Sequence, residues 1–185
     1  VYNFFFIIPC SNGEPWHKFR TAVNPIMMQP KNAKLYLHKM SEVNKEFIQR
    51  IREIRDPHTL EMPANFEEEI NRWTMESVSV VALDQQLGLI TKNRDSAQSK
   101  KLFTNLRTFF ELSAVMEFSP NLWKVFPTPN YRRMMNALDT IKSVILDLIE
   151  ESMDRLEKER QRGIVRAESE QSVFEKLVKI DQKIA

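Results

Sequence analysis

Between Tyr36 and Ile54 the apolar residues Tyr36, Leu37, Met40, Val43, Phe47, Ile48, Ile51 and Ile54 recur at helical spacing with charges between them, which predicts an amphipathic helix. Asp56-Pro57 ends it, because proline disfavours a helical conformation in the residue before it. Asn65 followed by Glu68 has the form of an N-cap with its capping-box partner, and the glutamates Glu67 to Glu69 suit the positive end of a helix. The segment Ile70 to Leu87 is apolar on most sides around Val78-Ser79-Val80-Val81-Ala82-Leu83, which predicts a central, buried helix closed by Gly88. A polar loop from Thr91 to Ser99 leads to a helix over Lys100 to Phe118, and Pro120, Pro127 and Pro129 then break the chain. Met134, Leu138, Ile141, Ile145 and Leu148 alternate steps of four and three on a long helix whose polar flank carries Glu150, Glu151, Asp154, Lys158 and Arg160, and which Gly163 closes. A last short helix holds Val173, Phe174, Leu177, Val178 and Ile180. The one segment that could be a strand is Phe4-Phe5-Phe6-Ile7-Ile8, and no internal repeat is visible, so the fold class is all-α.

Composition narrows the chemistry. The chain has 185 residues, 42% of them hydrophobic and 28% charged, a globular balance with room for one core. A net charge of +2 gives no reason to expect nucleic acid. The single cysteine, Cys10, cannot form an internal disulfide. No apolar run approaches the roughly 18–20 residues of a membrane-spanning helix, and nothing at Val1 reads as a targeting segment. The glycines at positions 13, 88 and 163 cannot build a phosphate loop. His17, His38, His58 and Cys10 lack the short paired spacing of a zinc site, and no serine has a nucleophile-elbow context, so neither a metal ligand nor a catalytic residue is assigned.

One constellation stands apart. Asn12-Gly13-Glu14-Pro15 reads as a turn into a helix, and Trp16 and Arg20 then fall at i and i+4 on one face. The indole offers one N–H donor and the guanidinium a permanently charged fork, together a clamp for an anionic group such as a carboxylate. By itself a Trp/Arg pair at this spacing is more often structural than functional.

Trp16-His17-Lys18-Phe19-Arg20, preceded by Gly13-Glu14, resembles the Trp-x-x-x-Arg signature on the C helix of cytochromes P-450. Glu69-Ile70-Asn71-Arg72-Trp73-Thr74-Met75-Glu76-Ser77-Val78, continuing to Leu87-Gly88-Leu89, is similar to the E helix of that family's mitochondrial branch. Val23-Asn24-Pro25 and Met28-Gln29-Pro30-Lys31 are similar to its insect members. The resemblance covers about Gly13 to Ala185 in the order of helices C to H, which implies an internal part of the mainly helical cytochrome P-450 fold: a partial domain over 13–185 and an atypical segment over 1–12.

That resemblance implies a haem-thiolate monooxygenase hydroxylating a lipophilic small molecule on the matrix side of the mitochondrial inner membrane, membrane-associated through other parts of the fold. Trp16 and Arg20 would hold a haem propionate, and Leu112, Ser113, Val115 and Met116 would roof the substrate cavity. Electrons would come from an acidic ferredoxin docking on Lys18, Lys31, Lys34 and Lys39, since no acidic residue lies between Glu14 and Glu42. The sequence also departs from the family. The I helix, the K-helix Glu-x-x-Arg and the haem-ligand loop are not found, and Cys10 has none of that loop's context, so the chain by itself is expected to be inactive. Residues 1–12 read as a gene-model or splicing error. The alternative is a non-enzymatic helical module that offers the stripe from Met134 to Leu156 to a partner.

Overall fold

The computed structural model describes residues 13–28, 30–91, 96–118, 123, 125–164, 166–167 and 171–184. They form six helices: α1 Glu14–Met27, α2 Pro30–Ile54, α3 Phe66–Ala82, α4 Ala97–Phe118, α5 Pro129–Gln161 and α6 Val173–Ile184, with no strand among the described residues. The run Phe4–Ile8 and the rest of 1–12 lie outside them.

The starts and stops follow from local chemistry, with corrections. Helix α2 begins at Pro30 rather than Tyr36, since proline lacks the N–H that a first helical residue leaves unused. It ends before Asp56, whose carboxylate accepts the N–H groups of His58 and Thr59 at 2.7 and 2.8 Å. At α3 the capping box is not made: Asn65 has no side-chain cap bond, and the N–H of Glu68 goes to the Asn65 backbone carbonyl at 3.0 Å. Ser96 and Thr128 do cap α4 and α5, accepting from the Ser99 and Tyr131 N–H groups. Gly163, at φ 76°, closes α5 by donating to the Arg160 carbonyl.

Two helix pairs make up the body. Helices α4 and α5 pack most extensively, and α2 lies against α3. The second pair is riveted by Arg50, which donates two bonds of 2.9 and 2.8 Å to Glu69, and by a Phe47–Trp73 stack with the indole N–H on Asn44. The Met134–Leu148 stripe turns inward: Ile141, Val144, Leu148 and Ile149 are buried with Leu102, Leu83, Leu87, Leu89 and Phe174 in the main core. It is therefore spent inside the chain and is not a face for a partner.

Helix α3 departs most from expectation. It stops at Ala82, and Gly88 does not close it. The residues that follow form a turn, 83–90, buried except at Asp84, Gln85 and the exposed Gln86, in which Asp84 takes φ 56° and Gly88 φ 75°. Gly88 and Leu89 donate their N–H groups to the Glu76 carboxylate at 3.1 and 2.9 Å. Glu76 is only 1% exposed, while Val78, expected in the core, is 60% exposed on the opposite face. The helix buries one side among the described elements, and that side is partly polar.

Burial raises the Glu76 pKa, against the lowering effect of the Leu89, Gly88 and Leu87 N–H groups and with a further upward push from Glu46. A folded pKa above the unfolded one means that Glu76 contributes most stability below its unfolded pKa and loses it as pH rises through the folded value. In the full-length protein, the stability of Glu76→Gln relative to wild type should therefore improve steadily above about pH 4.5, the ordinary carboxyl value. Glu76→Ala orphans two buried N–H groups and should cost about 2–4 kcal/mol near pH 4.5, a loss that shrinks with rising pH in parallel with Glu76→Gln because neither replacement titrates. Denaturant titrations from pH 4.5 to 8 check both, and a flat difference between wild type and Glu76→Gln would refute the sign.

Candidate functional site

Helix α1 presents the candidate clamp. Gly13, at φ 74°, turns the chain into the helix and a proline in the first turn supports its start. The Arg20 guanidinium lies 5.6 Å from the centre of the Trp16 ring, within cation–π range. Arg20 also reaches the Asn24 side chain at 3.4 Å, which orients it without neutralising it. Trp16 is 39% exposed. Among the described residues no carboxylate pairs with Arg20, and the nearby acid, Glu14, lies 3.7 Å from Lys18 instead. One face of α1 thus holds an unneutralised planar cation beside an accessible indole. That donor set fits an anionic carboxylate such as a haem propionate.

The lysines divide. Lys18 and Lys34 are exposed, and the side chain of Lys31 lies outside the described residues. Lys39 does not join them. It pairs with Asp84, whose side chain is only 10% exposed, and so ties α2 to the end of α3. The acid-free interval in sequence is broken in space by an acid from another element.

The expected roof residues also divide. Leu112 is buried, and Ser113 donates to the Phe109 carbonyl at 2.7 Å with Met134 of α5 4.0 Å away. Met116 is half-buried, whereas Val115 is 47% exposed. Ser113 serves the α4–α5 contact through Met134.

Arg72 and Trp73 have internal partners. Arg72 reaches Glu68 at 3.2 Å and lies over the Phe103 ring at 4.9 Å, and Trp73 holds Asn44. Sequence reasoning missed the roles of Arg50, Glu76 and Ser152; the available signal for Ser152 was its place four residues after Leu148, on the stripe of Met134, Leu138, Ile141, Ile145 and Leu148. Among the described residues no three His, Cys, Asp or Glu side chains gather as a metal site, and no helix is long and apolar enough to cross a membrane.

The model of the cytochrome P-450 family matches residues 7–180. The chain belongs to the cytochrome P-450 family. The match begins inside the 1–12 stretch that the sequence set apart. Cytochrome P-450 CYP12A2 of Musca domestica is 58% identical over 176 residues, 95% of this chain and 33% of that protein. A probable mitochondrial cytochrome P-450, 12a5 of Drosophila melanogaster, is 52% identical over 179 residues, 97% of this chain and 33% of that protein. A second from the same fly, 12d1 proximal, is 43% identical over 95% of this chain and 33% of that protein. The chain therefore spans about a third of the length of these relatives. Its helices are those of the mainly helical cytochrome P-450 fold.

The two kinds of lysine are separable by experiment. Lys39→Ala leaves the nearly buried Asp84 carboxylate without its cation and should cost about 1 kcal/mol or more, whereas Lys34→Ala should stay within about 0.5 kcal/mol. Thermal unfolding of the full-length variants measures the difference, and equal losses would show that Lys39 is as free as Lys34.

Proposed function

We propose that this chain forms central helices of a haem-thiolate monooxygenase that hydroxylates a lipophilic small molecule in the mitochondrion. Family membership supports the reaction class, and relatives named as mitochondrial support the compartment. The observation that carries the site is the unneutralised Arg20 guanidinium stacked on the accessible Trp16 indole. Arg20 supplies the charge that holds a haem propionate, and Trp16 adds one hydrogen bond and packing surface. Haem, when bound, would supply the redox-active iron, and its thiolate ligand would come from outside the described helices. Leu112, Ser113, Val115 and Met116 belong to α4, which we assign to the substrate roof together with the start of α5.

Haem retention tests the clamp. In the full-length protein Arg20→Ala should lose haem most readily, having given up a charged interaction worth about 1.5–3 kcal/mol. Arg20→Lys should be intermediate, because it keeps the charge without the planar fork. Trp16→Phe should be mildest, at about 0.5–1.5 kcal/mol. Equal haem content in all three would remove the assignment.

For electron supply we propose a ferredoxin-type partner of acidic surface, received by Lys18, Lys31 and Lys34. Lys39 leaves that set because Asp84 holds it. Membrane association, expected through other parts of the fold, has a local candidate as well. Phe118 and Val125 are 89% and 84% exposed, Phe126 is half-exposed, and the start of α5 adds exposed Arg132 and Arg133, a pairing suited to an anionic lipid surface. Charge reversal at Lys31 and Lys34 should slow reduction by ferredoxin at low salt, because steering acts over a Debye length of about 8–10 Å. Turnover driven by peroxide should stay nearly unchanged, and a loss of both routes together would make these lysines structural.

A further inference from the structure

Arg20 is held at two points, and neither is an acid. One turn before it in α1 its guanidinium lies 5.6 Å from the centre of the Trp16 ring, and one turn after it Nη1 donates to Asn24 Oδ1 at 3.4 Å. Four other basic residues on these helices meet a carboxylate at the same i,i+4 spacing. Lys18 has Glu14 at 3.7 Å, His38 has Glu42 at 3.6 Å, Arg72 has Glu68 at 3.2 Å and Arg107 has Glu111 at 2.8 Å. An acid at position 24 would give α1 a pair of the same kind. The chain has an amide there, with the shape of an aspartate and no charge.

The difference matters for what Arg20 can still do. A long side chain loses rotamer freedom when an anion fixes it, and a tether already in place reduces that loss. An acid would tether the guanidinium and neutralise it together, whereas an amide oxygen tethers it and leaves the charge. The stem of Asn24 is itself set by the helix, since its backbone carbonyl accepts the Met28 N–H at 2.9 Å. The Arg20–Asn24 bond is long, and Asn24 is exposed, so the bond adds little to the stability of α1. Its effect falls on the direction of the guanidinium.

We propose that Asn24 is a positioning residue for the anion clamp: its amide oxygen anchors the Arg20 guanidinium beside the Trp16 ring and leaves the charge available to a haem propionate. This rests on the reading of Trp16 and Arg20 as that clamp. Asn24 acts through Arg20 and needs no contact of its own with the propionate.

Transfer of haem from the full-length protein to excess apomyoglobin, followed at the Soret band, tests the role without relying on turnover. Asn24→Asp should speed transfer by roughly tenfold, because the introduced carboxylate takes the guanidinium for itself. Asn24→Ala should speed it by roughly two- to threefold, because the charge remains and only the anchor is lost. In an Arg20→Ala background Asn24→Ala should add nothing, since the group it orients is gone, whereas a merely structural role in α1 would persist there. A further rise in that background would overturn the positioning role, and so would Asn24→Asp releasing haem no faster than Asn24→Ala. Arg20→Ala at the wild-type rate would remove the clamp itself. Wild-type rates for both Asn24 variants beside a fast Arg20→Ala would remove the role of Asn24 alone, so the two failures are distinguishable.

Discussion

The Glu76 carboxylate has almost no solvent and is surrounded by the main-chain donors of the turn that follows its own helix. A carboxylate in such a place loses much of its hydration, and main-chain N–H groups are the means by which the interior compensates it. The dependence runs both ways, because Gly88 and Leu89 are themselves buried and would lack an acceptor. From this mutual requirement the path of the chain after α3 follows. The helix must end early enough for the turn to fold back along it, and Asp84 and Gly88 adopt the left-handed conformations that allow this. Leu83, Leu87, Leu89 and Ile90 are thereby delivered to the interior, where the helix by itself would have spread them around its circumference.

Once the turn is in place, the two helix pairs meet across it. The α2–α3 pair is fastened by a doubly hydrogen-bonded Arg50–Glu69 bridge and an aromatic stack, both with fixed geometry. The α4–α5 pair meets the turn through leucines and three donating side chains, a softer seat. The Lys39–Asp84 pair adds a link from α2 to the same turn. The turn is thus tied to α2 by an ion pair on one side and to α4 and α5 by Ser99, Ser152 and Arg155 on the other.

Periodicity carried the positions of α2, α5 and α6, because Val43, Ile141, Leu148 and Phe174 are buried at the 3.6-residue repeat, although Leu37 and Ile48 of the α2 pattern are exposed. It failed at the end of α3 for a physical reason. Val80, Leu83 and Leu87 keep helical spacing, so nothing in the apolar pattern announces the turn, and the decisive bonds run from Glu76 to residues 12 and 13 positions later. Lys39 was misread for the same cause: its partner Asp84 stands 45 positions away. Local rules see capping and stop signals; they do not see which distant backbone group a buried side chain will meet. The juxtaposition of Trp16 and Arg20 could be read because both lie within about one helical turn.

The chain also contains a control for its own candidate site. It uses the same two residue types twice, as Trp16 with Arg20 and as Arg72 with Trp73. In the second case each side chain is consumed: Arg72 has Glu68 and the face of Phe103, and Trp73 has Asn44 and the face of Phe47. In the first case the arginine stacks on the indole and reaches only a neutral amide, with its charge uncompensated by any described carboxylate. A guanidinium that has already met a carboxylate gains little from a second anion, whereas one held in place and left unneutralised retains most of its capacity to bind one. Residue types are alike in the two pairs while their spacing differs, four positions in the first and one in the second, and the state of the partners is what distinguishes a structural rivet from a cation still able to meet an external anion. That contrast supports the proposal of an anion-binding role for α1, with α3 as framework.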